Sequence, residues 1–313
     1  MGNLTDTEKI KVFIEHEYPG SSNKVLREFV CELWENFQKY NLQDSTFIGG
    51  FTNGCREQLL ERYSEMLFIW HFIQLGFLPT SKNEGPDLLI EHSGKKVWIE
   101  IITPRLKAPA GCTIEAQKAK KAIEDYLAPL QLKEVRTTDI PNEQILLRWT
   151  GALKEKKDKL TGYLKNNIVQ IEDIYVIAIN SISLGHYGFD GISQYPNPVE
   201  VTFAIGPMQV TINRKTLETI STKPSFRSEV TNHNNAPVRA DCFLNSGYKG
   251  VSALMATHAS LEFSKKSCPT LPCVLVHNPY ASNPLPTRIF GALEEYVADN
   301  KGDTWEIRNL VNS

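Results

Sequence analysis

The chain has no excess of charge of either sign: 34 Lys and Arg against 36 Asp and Glu leave a formal net charge of -2 over 313 residues. No global basic field points to nucleic acid, although a near-neutral total still accommodates a local basic face. Long apolar runs are missing too. The longest, residues 66–72, is interrupted by His71 and falls far short of the roughly 20 residues that span a bilayer. The first residues, Met1 to Asp6, contain neither a basic stretch nor an apolar one, so no secretory leader is expected. Asp6 also stands where a myristoylation signal on Gly2 takes Ser or Thr. The six cysteines (Cys31, Cys55, Cys112, Cys242, Cys268, Cys273) are scattered without a CxxC, a pattern that suits reduced thiols and a cytoplasmic protein. There is no internal repeat, P-loop, dinucleotide fingerprint or kinase set, and His186, His233 and His258 lack metal-ligand spacing.

What is present is the composition of a globular protein, 41% hydrophobic and 22% charged, with enough chain for a substantial core. Residues 5–17 and 22–40 read as helices, the second with Val25, Phe29, Leu33 and Phe37 every four positions. Residues 45–54 read as a glycine-containing loop. Residues 55–76 form an apolar helix that Gly76 stops. Strands are expected at 86–91 and 96–102 around a turn at His92, Ser93 and Gly94, and a charged helix at 113–127. A long helix follows from Pro141 to about Asn167, with Asn142 as N-cap. The apolar run 174–180 suits a strand buried on both faces. Further strands are expected at 199–205, 208–212, 250–256 and 272–277, an irregular excursion at 223–248 and a last helix at 286–299. The class is α/β, with a central mixed sheet flanked by helices. No linker divides the chain, so residues 1–313 are expected to form one unit: a helical cap (1–50), a core (51–180) and an elaborated C-terminal half (181–313).

Three acids stand out. Glu65 lies on the apolar helix. Asp87 follows Pro86, which biases the chain towards extended geometry at the start of a strand. Glu100 sits between Ile99 and Ile101 on the next strand. A carboxylate there is costly unless it is paired, hydrogen-bonded or metal-bound. Magnesium is one partner, since it takes one or two carboxylates with waters and substrate phosphates.

A helix with a Glu, then Pro86 and Asp87 opening a strand, then Glu100 on the following strand, resembles the PD-(D/E)xK nuclease superfamily, over about residues 57–104. That resemblance implies a restriction-endonuclease-like core and a magnesium- or manganese-dependent phosphodiesterase acting on DNA or RNA. Asp87 and Glu100 would hold the metal, helped by the Ile101 carbonyl and by Glu65 through water. The family has a lysine two residues after the Glu, and here that position is Ile102. Three outcomes remain open: the lysine has moved, the metal alone suffices, or the site is inactive and the fold binds nucleic acid or a protein partner instead.

For a moved lysine, Lys157 is the first candidate. The stripe Leu146, Trp149, Leu153, Leu160 and Leu164 closes with steps of three and four if position 157 joins it. At about 100° per residue Lys157 lies about 40° from Leu153, and Lys156 about 60° away on the other flank. Such a lysine either snorkels to solvent or points at an acid. Arg148 points roughly opposite and is expected to be solvated or to contact phosphate. Lys95, Lys96, Arg105, Lys107, Lys118, Lys120 and Lys121 form a basic excess that fits phosphate contact or a solvated face. A third reading makes Cys55, at a helix N-terminus, the nucleophile of a hydrolase with His277 or His258 as base. A buried structural cysteine is its plain alternative. His71 reads as a satisfied core histidine.

Overall fold

A computed structural model describes residues 4–81, 84–107, 114–128, 139–261, 271–302 and 304–311. Helices α1 (Asp6–Glu17), α2 (Lys24–Lys39), α3 (Phe47–Thr52) and α4 (Arg56–Gln74) come first, then the hairpin β1 (Leu88–His92) and β2 (Lys95–Ile102). Helices α5 (Ile114–Leu127) and α6 (Asn142–Lys165) lead to β3 (Ile174–Asn180), parallel to β2. A second crossover carries α7 (Asn197–Phe203) and two small hairpins. These are β4 (Ile205–Ile212) with β5 (Thr219–Phe226), and β6 (Glu229–Thr231) with β7 (Pro237–Arg239). Strands β8 (Ala253–Thr257), β9 (Val274–His277), β10 (Glu294–Asn300) and β11 (Trp305–Asn309) complete a seven-stranded mixed sheet in the order β1-β2-β3-β8-β9-β10-β11. The architecture is α/β, with helices on both faces. Among the described residues no helix is long and apolar enough to cross a membrane. Cys112 and Cys268 lie outside the described residues.

The sheet separates two cores, and alternation along its strands assigns the residues. Val97, Ile99 and Ile101 of β2, with Ile174, Val176 and Ala178 of β3, pack with helices α1–α4. Trp98 and Ile102, with Tyr175, Ile177 and Ile179, face the core that contains α6 and α7. Glu100 shares the parity of Trp98 and Ile102, so it is aimed at α6.

Helix α4 begins where Cys55 is extended and its N–H donates to the Gln58 side-chain Oε1, at 3.2 Å. It ends at Gly76, whose φ of +84° only glycine adopts readily. Buried residues lie almost all round it, from Leu59 to Phe72, as expected of a helix inside a core. The β1–β2 turn has Ser93 and Gly94 both at positive φ, the backbone of a tight two-residue hairpin. That turn fixes the register: Leu88 pairs with Ile99, and one step further Asp87 comes opposite Glu100.

Four local expectations are corrected. Residues 47–52 of the expected loop are helix α3. Asn142 is the first residue of α6, and Pro141 is its N-cap. The expected strand 199–205 is helix α7, opened by Pro198 and closed by Ala204 in the left-handed region. Its β-branched residues point to a strand, but proline in the first turn and burial on every side favour a core helix. The expected helix 286–299 is loop and strand. Arg288 and Gly291 take positive φ, and Glu294 to Tyr296 pair with β9 instead. Sheet pairing overrides the helix-forming character of residues 292–295.

Candidate functional site

At the end of β2 nearest Ile102 a cleft of about 610 Å³ opens between α4 and α6. Its walls include Glu65, Asp87, Ile101, Arg105, Arg148 and Lys156. The antiparallel register and the Pro86 bend put Asp87 at this end, where its Oδ2 accepts the Ile101 N–H at 2.6 Å. That bond joins the start of β1 to the end of β2 and orients the carboxyl towards the cleft.

Glu100 is 1% exposed and fully engaged. Its Oε1 accepts from Lys156 Nζ at 2.9 Å and Lys159 Nζ at 3.0 Å, and its Oε2 from the Tyr163 hydroxyl at 3.2 Å. The three donors come from one face of α6, spaced three and four residues apart. Burial pushes the Tyr163 hydroxyl up to about 12, and the Glu100 charge adds to that. Desolvation works against the Lys159 charge, but the Glu100 carboxylate outweighs it and raises its pKa.

The other two acids are less well compensated. Burial, and then the Glu100 charge, raise Asp87 to about 6 against the pull of Lys156 and of the Ile101 N–H. Burial, with a contribution from Asp87, raises Glu65 to about 8. Arg62 opposes this shift through bonds of 3.2 and 3.1 Å to the Glu65 oxygens. Arg62 is itself held by Asp44 at 3.4 Å and lies over the Phe47 ring, so the helical cap positions Glu65 from behind.

The expected site residues are thus placed as follows. Glu65, Asp87 and Ile101 line one cleft, with Glu100 in the wall behind Asp87. Glu65 arrives from α4 on one side of the sheet, and Glu100 faces α6 on the other. Among the described residues no group of three His, Cys, Asp or Glu side chains stands close enough to hold a metal ion. Lys157 does not reach the acids: it pairs with Asp158 at 2.5 Å and lies over the Tyr248 ring. Lys156 takes the place assigned to it. The reason is helical phase. Ile145 and Ala152 are buried as well, and with them the centre of the buried stripe falls within about 20° of Lys156 and about 80° from Lys157. Leu164, counted in the sequence stripe, is 36% exposed.

Arg148 is half-buried in the cleft wall rather than on the opposite, solvated side. Of the basic excess, Arg105 and Lys107 line the cleft, with Arg105 bound to Glu61 at 2.5 Å. Lys95, Lys96, Lys118, Lys120 and Lys121 are exposed, the first two at the far end of β2. Lys159, Tyr163 and Arg62 were not singled out by sequence reasoning. The first two were legible as positions three and seven after Lys156, once Lys156 is taken as the inward residue.

Cys55 is exposed at the N-cap of α4. His277 binds Glu295 at 2.7 Å, and His258 meets Ser181 at 2.9 Å, so both candidate bases are engaged elsewhere. His71 is buried, with Nε2 2.9 Å from the Phe290 carbonyl. Burial lowers its pKa to about 4, and the neutral ring donates to that oxygen.

Compared with known protein families, with curated proteins and with solved structures, the chain matches none.

Proposed function

We propose that this cleft is the active site of a divalent-metal-dependent phosphodiesterase acting on nucleic acid, built on a restriction-endonuclease-like core. The observation that carries the reading is the Lys156–Glu100 contact beside Asp87. A lysine from α6 stands at the acids where β2 itself offers Ile102.

The residues fit a magnesium or manganese ion. Glu65 and Asp87 are hard oxygen donors facing one open cleft, and burial raises the pKa of both, so each ionised form is disfavoured until a cation meets it. Ile101 lines the same cleft. When bound, such an ion supplies charge neutralisation at a phosphate and a lower pKa for water. Asp87 and Glu65 would hold it. Lys156 has two tasks: it pairs with Glu100 within the wall, and its ammonium group stabilises negative charge developing on a phosphate in the cleft. Tyr163 and Lys159 fix the Glu100 carboxylate, so Lys156 is held in one position.

The test is magnesium-dependent cleavage of DNA and RNA by the wild type and by Asp87→Ala. Loss of cleavage in the variant is expected, and cleavage at the wild-type rate removes the assignment.

A second reading has its own support. Both Glu100 oxygens are already satisfied, which suits a fold that binds nucleic acid or protein without cleaving it. Calorimetry with manganese separates the two, because an inactive relic binds it only weakly.

A further inference from the structure

Arg148 is a half-buried cleft residue that the proposed chemistry leaves unused. It projects from α6, and its Nη2 donates to the Lys107 carbonyl at 3.0 Å. Its Nε is buried and has no hydrogen-bond partner among the described residues. The other cations of the site, the exposed Lys107 aside, are matched to acids: Arg105 to Glu61, Arg62 to Glu65 and Asp44, Lys156 to Glu100. Arg148 has no carboxylate partner among the described residues, and burial alone moves its pKa, downwards. A partly desolvated guanidinium without counter-charge is unfavourable unless an anion arrives to meet it. Its planar set of donors matches phosphate.

One turn along the helix stands Gly151, in the cleft wall, followed by Ala152. The interior of a helix is where glycine is least favourable relative to alanine. A Cβ built at Gly151 meets no atom within 4 Å, so the packing of this chain does not require the glycine. Its effect is an open floor between Arg148 and Lys156.

The cleft also continues past the acids. Glu65 and Asp87 line a second hollow of about 500 Å³, with Asn41, Asp44, Ser45 and Gly85. The acids therefore stand where two hollows meet, an arrangement that suits a chain passing through more than a small molecule in a closed pocket. Residues 148 and 156 are about 12 Å apart along the helix axis, so Arg148 is too far along to serve the same phosphate as Lys156.

We propose that Arg148 and the open floor at Gly151 and Ala152 form a second phosphate subsite, which holds a neighbouring phosphodiester of a nucleic-acid strand running through the cleft. This rests on the phosphodiesterase reading and names how its substrate is held. Glu155 lies in the same wall and is exposed, so the strand is placed on the Arg148 side of the floor.

The experiment is fluorescence anisotropy of a labelled single-stranded oligonucleotide with calcium as the divalent ion, at salt concentrations from about 50 to 200 mM. Arg148→Gln keeps a donor for the Lys107 carbonyl but loses the charge. It is expected to weaken binding about tenfold and to make the slope of log K against log salt shallower by about 0.7. Arg148→Lys is expected to restore the slope. Gly151→Leu is expected to weaken binding with the slope unchanged and the fold intact by circular dichroism. A purely structural strut at Arg148 leaves the slope unaltered, and an Arg148→Gln variant with wild-type slope and affinity overturns the subsite. Competition by a nucleoside monophosphate as strong as by the oligonucleotide assigns the arginine to free nucleotides and overturns the strand. A wild type that binds no oligonucleotide also overturns it. Manganese calorimetry on Arg148→Gln and Asp87→Asn separates these failures from failure of the acid site: the first is expected to bind the ion normally and the second weakly.

Discussion

Lys156 Nζ lies 2.9 Å from Glu100 Oε1, and both side chains are buried. A buried ion pair is weak support for stability as a whole, but removing Lys156 leaves the buried Glu100 with only the half-exposed Lys159 and Tyr163 as partners. Lys156→Ala is therefore expected to destabilise the protein by about 3 kcal/mol. Lys159→Ala, whose ammonium is half-exposed, is expected to cost under about 1 kcal/mol. The double variant Glu100→Gln, Lys156→Met is expected to recover most of the first loss. Urea unfolding of the three measures this. If Lys156→Ala unfolds like wild type, Glu100 is not dependent on Lys156.

Asp87 is a buried acid whose charge the fold does not fully compensate. Burial and the nearby Glu100 keep its pKa high, so removal of its charge relieves repulsion. Asp87→Asn retains an oxygen for the Ile101 N–H. It is expected to be at least as stable as wild type at pH 7.5 without divalent ions, and to gain less in melting temperature when manganese is added. A variant that gains as much as wild type places the ion elsewhere. Stability gained at the expense of function is the usual signature of a binding group.

Glu65 sets a pH dependence. Its folded pKa of about 8 exceeds the ordinary carboxylate value, so the folded state binds more protons than the unfolded one up to that pH. Stability then falls as pH rises through this window. His71 acts in the opposite sense. Its folded pKa of about 4 lies below the usual 6.5, so it makes stability rise with pH from about 4 to 6.5 and contributes no slope above that. Asp87 is half titrated at about 6 and has nearly finished by about pH 7. Between about pH 7 and 8 the decline is therefore due to Glu65, and Glu65→Gln is expected to flatten it in EDTA. Denaturant midpoints across that range decide the point: an equal decline in the variant removes Glu65 as its source.

The cysteines differ in access. Cys55 is exposed, while Cys242 is buried and burial pushes its thiol up to about 12. Iodoacetamide on the native protein, read by mass spectrometry, is expected to modify Cys55 first and to spare Cys242. Cys55→Ser is expected to preserve any phosphodiesterase activity. Loss of activity in that variant would revive a thiol mechanism.

Much of the site was legible from local rules. Pro86 and the tight turn at Ser93 and Gly94 make the hairpin, and the hairpin register brings Asp87 opposite Glu100 without help from the rest of the chain. Period-two alternation aims Glu100 away from Ile99 and Ile101. The apolar helix with Glu65 is signalled by its continuous hydrophobicity and by Gly76. Elsewhere local signals conflicted with the environment. Residues 199–203 have a strand's composition and form a core helix. Residues 294–298 have a helix-forming start and form a strand, because the edge of β9 offered hydrogen bonds that an isolated helix could not match.

The sequence by itself determined that two acids share the end of a hairpin and that a third lies on the preceding helix, since turn geometry and side-chain alternation act over a few residues. Only the tertiary structure decided which lysine meets them. A helix of 24 residues presents neighbouring lysines about 100° apart, and the choice between Lys156 and Lys157 rests on how the whole buried face of α6 seats against β2 and β3. The same seating turned Arg148 into the cleft and left Gly151 as open floor. No local pattern specifies that outcome, because it depends on contacts with separate strands, among them that of Lys156 with Glu100, 56 residues away.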